Sequence, residues 1–242
     1  MKILSIDTAS DVCGVSILED NNLICKLDTV TGRTHSENLM PMIKQALEQA
    51  YLSLNDINFI VCDKGPGSFT GIRIGIATAK AFHDSLDIPC VGISSLEAQA
   101  YNVRDSKIIC SILDCKNDNC YFALYENKAN MLEILIEPQS ESISSALAIL
   151  KSYSDDTLEK SEITFVGDGC TVFENQIIET FQNARFANAN LNILDSYNLG
   201  LCGFEKYKNG LIFEEDILPL YLKKPQAQRQ LEEKMKGLTN NG

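Results

Sequence analysis

The chain repeats its own opening. Asp7, Asp11, Cys13 and Glu19 recur as Asp114, Asp118, Cys120 and Glu126, each 107 residues further on. Around both sets the pattern is strand, polar turn, strand. Lys2-Ile3-Leu4-Ser5-Ile6-Asp7 passes through Thr8-Ala9-Ser10-Asp11 into Cys13-Gly14-Val15-Ser16-Ile17-Leu18, and Ile109-Cys110-Ser111-Ile112-Leu113-Asp114 passes through Cys115-Lys116-Asn117-Asp118 into Tyr121-Phe122-Ala123-Leu124-Tyr125. An internal repeat is read before local propensity, because each copy is one supersecondary unit needing its own packed core. The expected architecture is therefore α/β with two related lobes, each opening with a β-hairpin. At 242 residues each lobe has enough chain to bury a core.

The remaining elements follow from periodicity. A third strand is expected at 23–29. Leu39, Met42, Ile43, Ala46, Leu47 and Ala50 then recur at helical spacing on one face. Phe59-Ile60-Val61-Cys62 is a strand that runs into Gly65-Pro66-Gly67-Ser68-Phe69-Thr70-Gly71-Ile72-Arg73-Ile74-Gly75 and a small-residue helix to about residue 84. Another strand is expected at 88–93, with a helix capped by Ser94 or Ser95 after it. Beyond the second hairpin, helices are expected at 144–153, 175–182 and 198–208, and a strand at 164–169 ends in a tight turn. The expected units are a first lobe over 1–104, a smaller second lobe over 105–215, and a C-terminal segment over 216–242. That segment either returns to the first lobe or ends as a loose tail.

The glycine-rich segment allows two readings. A strand that empties through Gly-Pro-Gly into a helix points N–H groups toward an anion, with Asp7, Thr8, Gly67 and Ser68 as the nucleotide or anion contacts. Ser68 and Thr70 are suitable N-caps. Within the helix, however, Gly71, Gly75 and Ala79 recur every fourth residue. Each glycine costs a helix interior roughly 1 kcal/mol against alanine, so something must approach this backbone closely. Phe69 in the turn favours packing over phosphate. The alternative is a helix-on-helix surface for a partner, made by Leu39, Met42, Ile43, Ala46 and Leu47 with Gly71, Ile72, Gly75, Ile76, Ala79 and His83. The competing reading of the same residues is ordinary core.

Composition excludes several function classes. The net charge of −12 makes the chain a poor nucleic-acid binder by itself. Basic residues concentrate only near the end, at Lys223, Lys224, Arg229, Lys234 and Lys236. No apolar run is long enough to span a bilayer, Asp7 interrupts any signal-like opening, and the expected compartment is the cytoplasm. Nine cysteines without a CxxC pair, beside only two histidines, fit no common zinc pattern and read as reduced thiols. His35 and Ser36 are adjacent at a helix entry with no third group to orient them, which argues against a peptidase.

Paired hairpin-led lobes with glycine-rich turns resemble the actin-like ATPase fold of actin, sugar kinases and heat-shock chaperones. Within it, Ile6-Asp7-Thr8, the segment from Gly65 to Gly75, Leu113-Asp114 with Tyr121, Gly167-Asp168-Gly169 and Pro219-Leu220-Tyr221-Leu222 resemble the TsaB (YeaZ) family over nearly the whole chain. The resemblance implies a non-catalytic scaffold in making threonylcarbamoyladenosine on tRNA. It implies TsaD as direct partner through a four-helix bundle, TsaE as a second partner and TsaC as supplier of the threonylcarbamoyl-adenylate. It implies tRNA contact only indirectly, and a homodimer when the chain is alone. TsaD-type proteins carry His-Leu-Glu-Gly-His with metal-ligating histidines; here the stretch reads Ser95-Leu96-Glu97-Ala98-Gln99, and neither end is a competent transition-metal ligand. No catalytic residue, metal ligand or tightly held cofactor is expected, and ATP is expected only at the level of a complex. The alternative is a small ATP-dependent phosphotransferase of the same fold.

Overall fold

The computed structural model describes residues 1–30, 34–128, 131–157, 162–210, 213 and 216–223. Its strands are β1 (Lys2–Asp7), β2 (Val12–Glu19), β3 (Asn22–Val30), β4 (Phe59–Asp63), β5 (Cys90–Ile93), β6 (Ile108–Asp114), β7 (Asn119–Lys128), β8 (Met131–Ser142), β9 (Ile163–Val166) and β10 (Arg185–Phe186). The helices are α1 (His35–Gln49), α2 (Phe69–Leu86), α3 (Ser95–Ala100), α4 (Ile143–Thr157), α5 (Gly169–Val172), α6 (Glu174–Thr180) and α7 (Ser196–Lys208).

The repeat is real in three dimensions. The two sheets have orders β3-β2-β1-β4-β5 and β8-β7-β6-β9-β10, the same topology twice. In each, a hairpin pairs antiparallel and its first strand then pairs parallel with a later one, β1 with β4 and β6 with β9. The copies differ at the turn. Residues 8–13 separate the pair Asp7↔Gly14, whereas the shorter run 115–119 separates Asp114↔Cys120. The tighter second turn puts Lys116, Asn117 and Asp118 successively in the left-handed region, at φ 66°, 56° and 55°. Strand β8 was not expected from the sequence. It is a half-exposed edge strand containing Pro138, and both features blunt the periodic signal.

Each sheet is covered on both faces. Leu4, Ile6, Val15, Ile17, Ile60 and Cys62 meet α1 and α2 on one side of the first sheet. On its other side, Ile3, Leu18, Phe59 and Val61 meet Leu199, Leu201, Cys202 and Phe204 of α7. In the second sheet, Cys110, Ile112, Phe122 and Phe165 pack against α4 and α6, while Ile109, Ala123 and Tyr125 meet Leu96 and Ala100 of α3.

This packing corrects the expected boundaries. Helix α3, placed in the first lobe by sequence, covers the second sheet, and α7, placed in the second, covers the first. Residues 105–215 therefore do not pack as one unit. Helix α7 is tied in by polar contacts as well: Asp195 accepts the Tyr197 N–H at 2.9 Å as N-cap, Lys26 pairs with Asp195 at 2.6 Å, and the Ser196 hydroxyl donates to Asp28 at 2.6 Å.

The described part of the C-terminal segment returns to the first lobe. Ile217 is buried in the core beneath α1 and α2, the Leu220 N–H donates to the Lys64 carbonyl at 2.7 Å, and Lys80 pairs with Asp216. Lys224, Arg229, Lys234 and Lys236 lie outside the described residues.

The glycine stripe of α2 has an occupant, and it belongs to this chain. A methyl at Gly71 would sit 1.9 Å from the Thr8 carbonyl oxygen, one at Gly67 2.2 Å from that of Ala9, and one at Gly75 2.6 Å from Thr8 Oγ1. The turn after β1 thus lies directly on the start of α2. At Gly71 and Gly67 the nearest atoms are backbone, which leaves no side chain to move aside. Gly71→Ala is expected to lower stability by about 1–3 kcal/mol, the usual range for overpacking, read as a fall in the urea midpoint with unchanged slope.

Candidate functional site: an interlobe cleft and an outward helix face

The residues that carry the partner reading face inward. Leu39, Met42, Ile43, Ala46 and Leu47 of α1, and Gly71, Ile72, Gly75, Ile76 and Ala79 of α2, are all buried in the first lobe. His83 is half-buried, and its Nδ1 meets the Ile88 carbonyl at 3.0 Å. The glycine stripe leaves room for the hairpin turn instead of another protein, and these residues are corrected to core. With 3.6 residues per turn, the face opposite the core belongs to other positions. On α2 these are Thr70, Arg73, Ala77 and Ala81, with Ile74 and Thr78 half-buried beside them; on α1 they are Met40, Pro41 and Lys44. Helical spacing was the signal that could have found them, since they are the complement of the buried set.

The outward face has a fixed edge at the start of α2. Phe69 stacks on Tyr221 with ring centroids 4.7 Å apart, the Arg73 guanidinium lies 3.9 Å over the Phe69 ring, and Arg73 Nε donates to the Tyr221 hydroxyl at 2.7 Å. Phe69 is therefore packed, as its place in the turn suggested, and its partner comes from the C-terminal segment.

The second feature is a cleft of about 570 Å³ between the two hairpins, lined among others by Asp11, Gly67, Ser68, Gln99, Asp114 and Asp168. The resemblance to the actin-like fold implies a nucleotide here. Several N–H groups around the cleft already donate within the protein. Ala9 N–H goes to Asp7 Oδ1, Val12 N–H to Ser10 Oγ, and Ser68 N–H to the Ala9 carbonyl. Gly71 N–H goes to Ser68 Oγ, Asp114 N–H to Asp168 Oδ1, Lys116 N–H to Asp114 Oδ1 and Gly167 N–H to Asn192 Oδ1. The Lys116 ammonium pairs with Asp114 at 2.7 Å, a contact that raises its pKa. These seven N–H groups are therefore not free for a phosphate.

Of the four anion contacts read from sequence, only Gly67 and Ser68 face this cleft. Asp7 and Thr8 are buried, Thr8 donating to the Gly71 carbonyl at 2.7 Å. Ser36 does not meet His35 either: His35 Nε2 contacts the Ser10 carbonyl at 2.8 Å, and Ser36 Oγ contacts Thr34 Oγ1 at 2.9 Å. The N-cap of α1 is Thr34, with Glu37 accepting its N–H at 3.2 Å.

The Ser95 to Gln99 stretch forms α3 and is engaged internally. The Ser95 hydroxyl donates to Asp63 Oδ1 at 2.6 Å, and Gln99 Nε2 donates to the Leu191 carbonyl at 2.6 Å. All nine cysteines are free thiols, eight of them buried and Cys115 half-exposed. No helix among the described residues is long and apolar enough to cross a membrane.

Asp63 and Asp7 form a buried acidic pair under the glycine-rich turn. Burial pushes the Asp7 carboxyl well above the usual carboxylate range, and the Asp63 charge adds to the rise. Burial also raises Asp63, against the hydrogen bonds from Ser95 and the Gly65 N–H. A carboxyl whose folded pKa exceeds its unfolded value favours the fold at low pH, and that contribution is lost as pH rises through the folded pKa. Wild-type stability should therefore decline from pH ~4 toward pH ~8. Asp63→Asn keeps the Oδ1 acceptor and removes the ionisation. Thermal melts across that range should show the variant level with wild type at the acid end and ahead by about 1 kcal/mol or more at pH ~8; parallel profiles would contradict the assignment.

Against known proteins, residues 28–230 match the family model described as TsaD, tRNA N6-adenosine threonylcarbamoyltransferase. The tRNA threonylcarbamoyladenosine biosynthesis protein TsaB of Bacillus subtilis is 36% identical over 152 residues, covering 62% of this chain and 66% of that protein. TsaB of Escherichia coli is 32% identical over 133 residues, covering 54% and 57%. These alignments thus span less than two thirds of either relative. The solved YeaZ from Pseudomonas aeruginosa superposes with a TM-score of 0.72 at 22% identity over 91% of this chain and 99% of that one. The ROK hexokinase from Thermus thermophilus gives 0.54 at 9% identity, over 87% and 100%. The fold is that of the actin-like ATPases, and the chain belongs to the TsaD threonylcarbamoyltransferase family, on its TsaB (YeaZ) branch.

Proposed function

We propose that this chain is a non-catalytic subunit in the synthesis of threonylcarbamoyladenosine on tRNA, and that it binds and activates TsaD. The observation that carries the reading is the state of α3. Where TsaD-type proteins carry metal-ligating histidines, this chain has a serine that holds Asp63 and a glutamine that anchors the 191 turn. The names of its relatives supply the pathway.

The surface for TsaD is the outward face of α1 and α2. Met40 is 49% exposed there, and Ala77 and Ala81 present small side chains over which another helix packs closely. A methionine beside small residues suits a surface that accepts more than one partner. A second copy of this chain is the alternative occupant when TsaD is absent. TsaE joins the assembly as a further subunit, and TsaC supplies the activated threonylcarbamoyl group without contact. With a net charge of −12, this chain leaves tRNA to TsaD. A nucleotide belongs to the complex; several N–H groups around this chain's own cleft are engaged within the protein.

Two experiments test this reading. In a reconstituted modification assay with each component omitted in turn, leaving out this chain should abolish most product; ATP turnover by the isolated chain would favour a phosphotransferase instead. Ala77→Glu and Ala81→Glu, both on exposed helix positions, should each change stability by less than about 0.5 kcal/mol. Each should also weaken co-purification with TsaD about tenfold or more, because it buries an unpaired charge at a helix contact. Wild-type pairing by both variants would place the interface elsewhere.

A further inference from the structure

The interlobe cleft is a built cavity, and several acceptors line it. Gln99 lines it and is fully buried. Its Nε2 is committed to the Leu191 carbonyl, while its Oε1 has no hydrogen-bond partner. A buried amide oxygen left without a donor costs about 1–3 kcal/mol, so the position calls for a donor from outside. Asp11 projects from the first hairpin turn, and Asp114 and Asp168 from the second lobe, all into the same space. Of the cations at the wall, Lys116 is paired with Asp114, and Lys223 donates to Cys115 Sγ at 2.7 Å and lies 5.7 Å from the Tyr121 ring centroid. Leu113 and Tyr121 add apolar wall between these groups.

We propose that the interlobe cleft binds an organic cation, an ammonium or guanidinium group on a short apolar stem, with Gln99 Oε1 and the Asp11 and Asp168 carboxylates as acceptors. The chemistry is the reverse of a nucleotide site. A guanidinium presents only donors, in a planar fork that matches a carboxylate and an amide oxygen together. Its stem lies along Leu113. The same chemistry is offered by a free amine and by the arginine side chain of a docking polypeptide. The site is independent of TsaD pairing, because the outward face of α1 and α2 lies outside the cleft.

Calorimetry on the full chain tests the proposal with three probes: agmatine for a free cation, N-acetyl-arginine amide for a side chain, and Mg-ATP for the anionic alternative. Saturable one-to-one binding of agmatine, of the arginine amide or of both, tighter than Mg-ATP, is the expected result. The stronger of the two cations identifies the source. Asp168→Asn keeps the acceptor that holds the Asp114 N–H and should weaken the cation about tenfold, the loss of one charge-assisted contact. Asp11→Asn, at an exposed turn, should weaken it in the same direction, so that the outcome does not hang on one variant's folding. Tighter binding of Mg-ATP, no saturable binding of either cation at millimolar concentration, or cation affinity unchanged in both variants would overturn the proposal.

Discussion

The seating of the first hairpin turn on the glycine-rich start of α2 is the contact on which the rest of the structure depends. The Thr8 and Ala9 carbonyls lie where any side chain at Gly71 or Gly67 would collide, and Ala9 accepts the Ser68 N–H at 2.7 Å. This contact takes up the N–H of Ser68, the N-cap of α2. It fixes α2 against β1 and β4, and it buries Asp7 and Asp63 beneath the turn.

Two consequences follow from that contact. With its small residues turned inward, α2 sits close to the sheet, and the face it leaves outside is flat and lightly substituted, bounded by the Phe69, Arg73 and Tyr221 stack. The cleft between the hairpins, meanwhile, keeps its volume, and aspartates and one buried amide oxygen line it. Surface and cleft are thus separate features produced by one packing event.

The lobes are also less independent than a duplicated chain suggests. Helix α3 follows the first sheet's last strand yet covers the second sheet, and α7 follows the second sheet yet covers the first. Each lobe carries a helix from the other's stretch of sequence. Pulling the lobes apart would expose two apolar faces at once, so α3 and α7 act as a shared inner layer.

Much of this was legible in the chain itself. The offset of 107 residues gave two hairpin-led lobes, helical periodicity gave α1, α2 and α7, and the glycines showed that something must approach α2 closely. The resemblance also placed Ser95 and Gln99 where TsaD-type proteins carry histidines. Local sequence could not say which body fills the glycine groove, because a carbonyl of the same chain and a partner's helix make the same demand for an absent Cβ. For the same reason the periodic residues of α1 and α2 marked a buried face without saying whether the burial was internal. Strand β8, the exchange of α3 and α7 between sheets, the return of Ile217 and Tyr221 to the first lobe and the unpaired oxygen of Gln99 all join residues far apart in sequence. Periodicity reports a residue's side of its own element, and only tertiary packing decides what lies on the other side.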